Sequence, residues 1–386
     1  MKFIRFVIVS AVLLYSTVSW GRTFDAVYDT GRIDRIMQDA MTRGLIAGGV
    51  VLVGSASGTL FDKAYGMIGP GDSRPMTTDT VFDVASLTKV LATTPAIMKL
   101  ADERELGLVD PLVRWFPEFA GTGKDDLLVM HLLTHTSGLD DVSFSHIASM
   151  QDVVAAAAAQ RLKGEPGYRF HYADINFMLL GELVRRVSGV NLDRFVERYF
   201  YAPLGMNDTT FNPPQRLVVR CAATLDENGL PQFGLVQDGN SRTLGGVAGH
   251  AGLFSTAPDI GRFCMMLLGK GALGNGNRVL SQRAFDQMTA PYFSRGGKVV
   301  RGLGWDIASP FSSPKCSGFS EMSFGHTGYS GSSIWVDPER NLYVVLLTSR
   351  LEYRHVSEFN QLRGEVSSAA AGIFEQNERI ASYSYH

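Results

Sequence analysis

The apolar positions of this chain recur in two rhythms, and their order along the sequence predicts the architecture. Between Asp29 and Arg43, Ile33, Ile36, Met37 and Met41 fall at helical spacing. Gly48–Gly54 and Thr59–Gly66 read as two strands joined by the turn residues Ser55 to Gly58. From about Val84 to Met288 the pattern is mostly helical. The Ala155–Ala159 run belongs to it through plain helix propensity. Strand patterns return at Gly318–Phe324, Ser332–Val336 and Leu342–Thr348, the last two flanking a turn at Asp337-Pro338-Glu339, and Arg354 to Gln376 closes the chain as a helix. The expected fold is α/β of the α+β kind: an antiparallel sheet built from both ends of the chain and flanked by helices, with a large helical insert over about residues 84–290. A cleft is expected where the insert meets the sheet.

The first segment stands apart from that pattern. Lys2 and Arg5 precede an apolar run from Phe6 to Trp20, with the small residues Ser19 and Gly21 at its end. This is the form of a secretory signal peptide over residues 1–21, leaving residues 22–386 as the mature, exported chain. The run is short for a membrane span; an uncleaved anchor is the alternative. The formal net charge of −2 over 386 residues, 45% of them hydrophobic, gives no basic field for nucleic acid. Cys221, Cys264 and Cys316 lie far apart and suggest neither a disulfide framework nor a metal site. No H-E-x-x-H, G-x-x-x-x-G-K-S/T phosphate loop or G-x-S-x-G elbow is present, so metalloprotease, nucleotide-dependent and α/β-hydrolase mechanisms lack their usual signals.

The candidate chemistry begins at Ser86-Leu87-Thr88-Lys89. It opens a periodic segment with Val90, Leu91, Ile97, Met98 and Leu100, which Pro95 can kink beyond the first turn. Residues three apart on a helix face one another, so a lysine stands beside a serine hydroxyl and can activate it as a nucleophile. The same pattern recurs at Ser312-Ser313-Pro314-Lys315, where Pro314 and the Ser/Pro cluster predict a loop that aligns nothing. Tyr172-Ala173-Asp174 follows a Gly164-Glu165-Pro166-Gly167 turn and leads into a helix with Ile175, Leu179, Leu180 and Val184. A tyrosine there can project its phenol into a site, where a neighbouring ammonium favours proton transfer. His326-Thr327-Gly328 ends one expected strand, with Tyr329-Ser330-Gly331 turning into the next, and a free backbone N–H just beyond the glycine can serve an oxyanion hole. His250 lies in the glycine-rich Gly245–Gly252 loop as loop structure or site lining. His131 and His135 lack a third ligand pattern and read as helix and turn residues.

With these motifs in this order, the chain resembles the serine β-lactamase and penicillin-binding-protein superfamily, in the branch of class C β-lactamases and their esterase relatives. The likeness runs from about Asp34 to the C-terminal helix. Its markers are Phe82-Asp83-Val84-Ala85-Ser86-Leu87-Thr88-Lys89, Leu132-Leu133-Thr134-His135-Thr136-Ser137-Gly138-Leu139, Tyr172-Ala173-Asp174, Pro203-Leu204-Gly205-Met206, Gly252-Leu253-Phe254-Ser255-Thr256 and His326-Thr327-Gly328. The resemblance implies a β-lactamase/transpeptidase-like fold and an acyl-enzyme mechanism without metal or organic cofactor. It makes Ser86 the nucleophile, Lys89 its activating base partner, Tyr172 the proton relay, and the Ser86 and Tyr329 N–H groups the oxyanion hole. Asp174, His326, Thr327 and Gly328 would touch substrate: an ester, a β-lactam or a peptidoglycan-derived peptide. Two departures bear on that substrate. Asp174 stands where the family often has asparagine, and His326 where it often has lysine. An ionised Asp174 only accepts hydrogen bonds and favours a charged Lys89, while a neutral histidine offers no permanent cation to a carboxylate. Esters and D-amino-acid amides are therefore expected beside β-lactams, with a D,D-carboxypeptidase as the alternative enzyme and a penicillin-binding protein without turnover as the alternative of another class.

Overall fold

The computed structural model describes residues 30–296, 299–312, 314–316 and 318–383; the leader expected over residues 1–21 lies outside them. Strand β1 (Ile46–Ser55) shows how the sequence builds a buried sheet. Its alternation sends Val50 and Leu52 into one core and Val51 and Val53 into another, so both faces are covered. It pairs antiparallel with β2 (Gly58–Gly66) on one side. The strands β3 (Tyr292–Phe293), β4 (Val300–Arg301), β5 (Asp306–Ala308), β6 (Phe324–Thr327), β7 (Ser333–Asp337) and β8 (Leu342–Arg350) come from the far end of the chain. The sheet order is β2-β1-β8-β7-β6-β5-β4-β3, antiparallel throughout. The antiparallel sheet expected from the two ends of the chain is therefore present.

Helices α1 (Gly31–Thr42) and α5 (Val356–Tyr383) cover one face, packing Ile33, Met37, Phe359 and Val366 against Val51, Val53, Val344 and Leu346. On the other face, α4 (Ala257–Leu268) places Ile260 and Phe263 against Val50, Leu52, Val345 and Leu347. A Cβ on Gly261 would stand 2.8 Å from Leu52, so glycine sets how closely that helix approaches the sheet. The helix-rich region between β2 and β3 holds α2 (Thr94–Asp102) and α3 (Ile175–Ser188), with two small antiparallel sheets. Among the described residues, no helix is long and apolar enough to cross a membrane.

Two local expectations differ from the structure. The strand expected at Gly318–Phe324 lies at Phe324–Thr327 instead. The Ser320 N–H and Oγ both donate to the Asp337 carboxylate, at 2.6 and 2.7 Å, which ties the preceding residues into a turn at the end of β7. At Ser86 the sequence predicts an α-helix, but the chain makes a 3₁₀ turn over Ala85–Leu87 and a π turn over Lys89–Thr93 before α2 begins. Pro95 follows the π turn without a break in the helix, and the Leu91 carbonyl one turn before it accepts from the Tyr201 hydroxyl at 3.2 Å. Ser86 lies in the 3₁₀ turn and Lys89 opens the π turn, and across that junction Lys89 Nζ reaches Ser86 Oγ at 3.0 Å.

Candidate active site

Ser86 sits at the junction the sequence pointed to, and its turn is held from three sides. Ala85 is left-handed, with φ of 46°, an uncommon state for a residue with a Cβ. The Asp83 carboxylate fixes it, accepting from the Ala85 N–H at 2.8 Å and the Gln237 N–H at 2.7 Å. Burial pushes that carboxyl up to about 6. From the sheet, Ser330 Oγ and Ser332 Oγ donate to the Asp83 and Val84 carbonyls at 2.6 and 2.9 Å. Gly328 permits this approach, since a Cβ there would stand 2.4 Å from the Val84 carbonyl oxygen.

Lys89 is fully buried, and its ammonium donates to Ser86 Oγ at 3.0 Å and to the His250 carbonyl at 3.1 Å. It forms an ion pair with Asp174 Oδ1 at 2.7 Å and lies 5.2 Å from the centre of the Tyr172 ring. Burial pulls the Lys89 pKa down, but the charge on Asp174 and the nearby Tyr172 oxygen outweigh it, and the net direction is upward. Lys89 is therefore a cation in this site. Burial also opposes ionisation of Asp174, yet the charge of Lys89 holds its carboxyl below the ordinary range.

Tyr172 stacks on His135 with ring centres 4.4 Å apart and is flanked by Phe311 at 5.0 Å and His326 at 6.3 Å. His135 thus supports the site from below, which its place in a turn did not signal. His131 caps a short helix, its Nδ1 accepting from the Leu128 N–H at 3.2 Å. His326, on β6, is 5% exposed, and its Nδ1–H donates to the Thr327 carbonyl at 2.8 Å. Burial first, then the charges of Arg301 and Lys89, holds His326 well below its usual pKa, so it is neutral. The Tyr329 N–H donates to no protein acceptor among the described residues.

These groups line one cavity of about 480 Å³: Ser86, Tyr172, Asp174, His326, Thr327, Gly328 and Tyr329 all border it. So do residues the sequence reading missed. Arg301 on β4 is 2% exposed and has only a long contact to Asp306, 3.4 Å, and a bond to the Gly304 carbonyl at 2.9 Å. Arg350 on β8 donates to the Tyr329 carbonyl at 3.0 Å. Arg363 on α5 donates to the Gly328 carbonyl at 2.6 Å, and burial together with Arg350 pulls its pKa down to about 9. Neither Arg350 nor Arg363 has a carboxylate partner among the described residues. Positive charge reaches this wall from neighbouring elements rather than from position 326. No local motif marks these arginines, because each is placed by the pairing of distant strands or the docking of α5.

His250 and Asp238 form the remaining wall. His250 Nε2 lies 2.9 Å from Asp238 Oδ1, and the imidazole is 1% exposed. Burial opposes the Asp238 charge, but His250 and the Ser241 N–H hold its pKa at about 2. Asp174, Asp238 and His250 present donor atoms within 4.8 Å of one another, a spacing that suits a cation. The Lys89 ammonium on Asp174 already supplies one.

The β-lactamase family model matches residues 33–365, most of the chain and every group described above. The chain belongs to the β-lactamase family. A protein of Escherichia coli (strain K12) named as a D-alanyl-D-alanine carboxypeptidase is 31% identical over 319 residues, covering 71% of this chain and 70% of that protein. A penicillin-binding protein homologue from Caulobacter crescentus superposes with a TM-score of 0.74 at 21% identity, covering 88% of this chain and 97% of that one. A class C β-lactamase superposes at 0.73 with 21% identity, over 88% and 95% of the two chains. As a β-lactamase-family protein with the β-lactamase/transpeptidase fold, this chain is a serine hydrolase.

The second S-x-x-K lies in a loop. Ser312 Oγ donates to Asp306 Oδ2 at 2.9 Å, while Lys315, among the described residues, reaches the Glu321 and Ser323 carbonyls at 3.5 Å. Cys221, Cys264 and Cys316 are buried, unpaired thiols.

Proposed function

We propose that this protein is an exported D,D-carboxypeptidase-type hydrolase that forms an acyl-enzyme on Ser86 and releases a carboxylate-bearing leaving group from a D-amino-acid peptide. The observation that carries the reading is Ser86 Oγ held 3.0 Å from the Lys89 ammonium at the floor of the cavity. The buried arginines 301, 350 and 363 supply cations that a terminal carboxylate can meet. The relative named as a D-alanyl-D-alanine carboxypeptidase supports the same substrate class. These cations remove the main ground for favouring neutral esters, which was the loss of a lysine at position 326.

In this reading Ser86 Oγ attacks the scissile carbonyl, and the Ser86 and Tyr329 N–H groups receive the oxyanion. Tyr172 hands a proton to the departing amine and takes one from the water that later releases the acyl group. Lys89 acts through its charge, offsetting the negative charge that develops on Ser86 and Tyr172. Asp174, Thr327 and Gly328 border the substrate, and neutral His326 offers it a lone pair on Nε2. Export rests on Lys2 and Arg5 before the Phe6–Trp20 run, and N-terminal sequencing of secreted protein should begin near Arg22.

The test is release of D-alanine from a D-alanyl-D-alanine peptide, run beside a matched C-terminal amide, a neutral ester and a β-lactam. The proposal expects the free-carboxylate peptide to turn over with at least about tenfold higher kcat/KM than its amide, the value of one charge-assisted hydrogen bond. Turnover of esters alone would contradict the carboxypeptidase reading. A stable adduct with no turnover of any substrate would mean a binding protein.

A further inference from the structure

A charged Lys89 leaves the acylation step without an evident place for the serine proton. An ammonium has no lone pair and cannot take a proton unless it gives one up at the same moment. The group positioned to receive that proton is Asp174, 2.7 Å from Lys89 Nζ. Where the family often has asparagine, which cannot accept and pass on a proton, this chain has a carboxylate that can. Its basicity is low, so it suits passing a proton better than holding it.

The next group is His250. Its Nε2 faces Asp238 Oδ1 at 2.9 Å, and because a carboxylate only accepts, that nitrogen carries the hydrogen. In the neutral imidazole the lone pair is then on Nδ1, which is buried and has no hydrogen-bond partner among the described residues. One ring nitrogen of His250 and a carboxylate oxygen of Asp174 lie within 4.8 Å of each other, so the imidazole is within the reach of one bridging water from that carboxylate. The charged groups around the imidazole are Asp238, at the start of the Gly239–Thr243 helix, Asp174 at the start of α3, and Lys89.

We propose that Asp174 and the Asp238-bound His250 form the proton store for acylation, with Lys89 as the carrier. This rests on the acyl-enzyme reading above. As the bond from Ser86 Oγ to the carbonyl carbon forms, the hydroxyl proton moves to Lys89 Nζ while one ammonium proton moves to Asp174. That proton passes to His250 Nδ1, giving an imidazolium paired with Asp238. When the scissile bond breaks, the leaving group takes the Tyr172 proton. Tyr172 stays a phenolate in the acyl-enzyme and recovers its proton from the deacylating water, and Ser86 Oγ, on leaving the acyl carbon, takes the stored proton back through Lys89, so the cycle closes with no net change. Asp174, Asp238 and His250 are positioning residues, since they act through Lys89.

The test measures single-turnover acylation rates and their pH dependence for Asp174→Asn, His250→Gln, the double variant and Asp238→Asn. The asparagine of the last variant retains a side-chain oxygen for the Ser241 N–H, so the helix start is kept. The proposal expects each of the first two to slow acylation about 100-fold or more, within the usual range for proton-transfer groups. The double variant should be no slower than either single, because both break one path. Asp238→Asn should move the acid limb of the pH–rate profile to lower pH, since the imidazolium loses its carboxylate. Imidazole should restore at least a tenth of the rate to His250→Gly. Acylation in Asp174→Asn at or above the wild-type rate would overturn the proposal, as would singles that multiply in the double or an unmoved acid limb in Asp238→Asn. A slow adduct that still maps to Ser86 in every variant keeps the acyl-enzyme reading separate from the fate of this one.

Discussion

Two stretches of this chain carry the same four-residue pattern, and only one of them makes a site. At Ser86-Leu87-Thr88-Lys89, the junction of a 3₁₀ turn and a π turn brings the two side chains within 3.0 Å and buries the lysine against Asp174 and Tyr172. At Ser312 to Lys315, the hydroxyl is spent on Asp306 and the ammonium on two carbonyls. The chemistry of S-x-x-K therefore comes from what holds it. Ser86 is braced by Asp83, Ser330 and Ser332 from two other elements, whereas Ser312 belongs to a loop that closes on itself.

Substitution should widen that contrast. Ser86→Ala is expected to lower kcat by about 10⁴-fold or more, and Ser312→Ala by less than about twofold, on any substrate the enzyme turns over. Lys89→Met should cost about 10³-fold and also some stability, because Asp174 loses its ion-pair partner. Lys315→Met should leave kcat within about twofold. Parallel steady-state assays and thermal melts of the four variants check both pairs. Equal losses at the two motifs would mean that burial and bracing do not distinguish them.

A smaller effect separates the two settings through pH. His135 and His326 are buried beside Tyr172 and held well below the usual histidine value, first by burial and then by the charge of Arg301. The unfolded chain takes up these protons first, so stability is full above about pH 6.5 and falls as pH drops below it, by up to about 1.4 kcal/mol per pH unit for each histidine. Asp83 works the other way: with its pKa raised to about 6, the folded state holds the proton more tightly, and this group adds stability as pH falls from about 6 toward 4. Two histidines against one carboxyl predicts a net loss. Melting temperatures from pH 8 to 5 should decline below about 6.5, less steeply in His326→Gln and more steeply in Asp83→Asn.

The smallest expected change is at position 326 itself. From the sequence alone, His326→Lys would add a missing cation and about 10- to 150-fold in kcat/KM for a carboxylate substrate. In the structure, Arg301 already stands beside that position, and burial disfavours another charge. The expected gain is below about threefold for a carboxylate-bearing β-lactam relative to a neutral ester, both measured at pH 8. A larger gain would mean that Arg301 does not serve the substrate.

These cases mark how far the sequence could be read. Short continuous apolar runs in β1 and β8, which are buried on both faces, and helical spacing in α1 were enough to foretell the sheet and its cover, because burial imposes a pattern on the sequence. Ser86, Lys89, Tyr172, Asp174 and His326 were legible because each belongs to a short local pattern. Arg301, Arg350, Arg363 and Asp238 were not. The arginines enter the site through strand pairing or helix docking across more than a hundred residues of chain, Asp238 enters through its contact with His250, and single charged residues carry no rhythm. The same limit misplaced the strand at Gly318–Phe324, where the bond from Ser320 to Asp337 overrides the apolar pattern. It also hid the 3₁₀ turn, since the strain at Ala85 is set by Asp83 and the sheet.

The central claim is that Ser86, alone among the serines, is made a nucleophile by its setting. The most direct measurement is to label the folded protein with a fluorophosphonate and map the adduct by mass spectrometry of its peptides. The account predicts one adduct, on the peptide carrying Ser86, and none in Ser86→Ala. An adduct on Ser312 or any other serine, or labelling that survives Ser86→Ala, would contradict it.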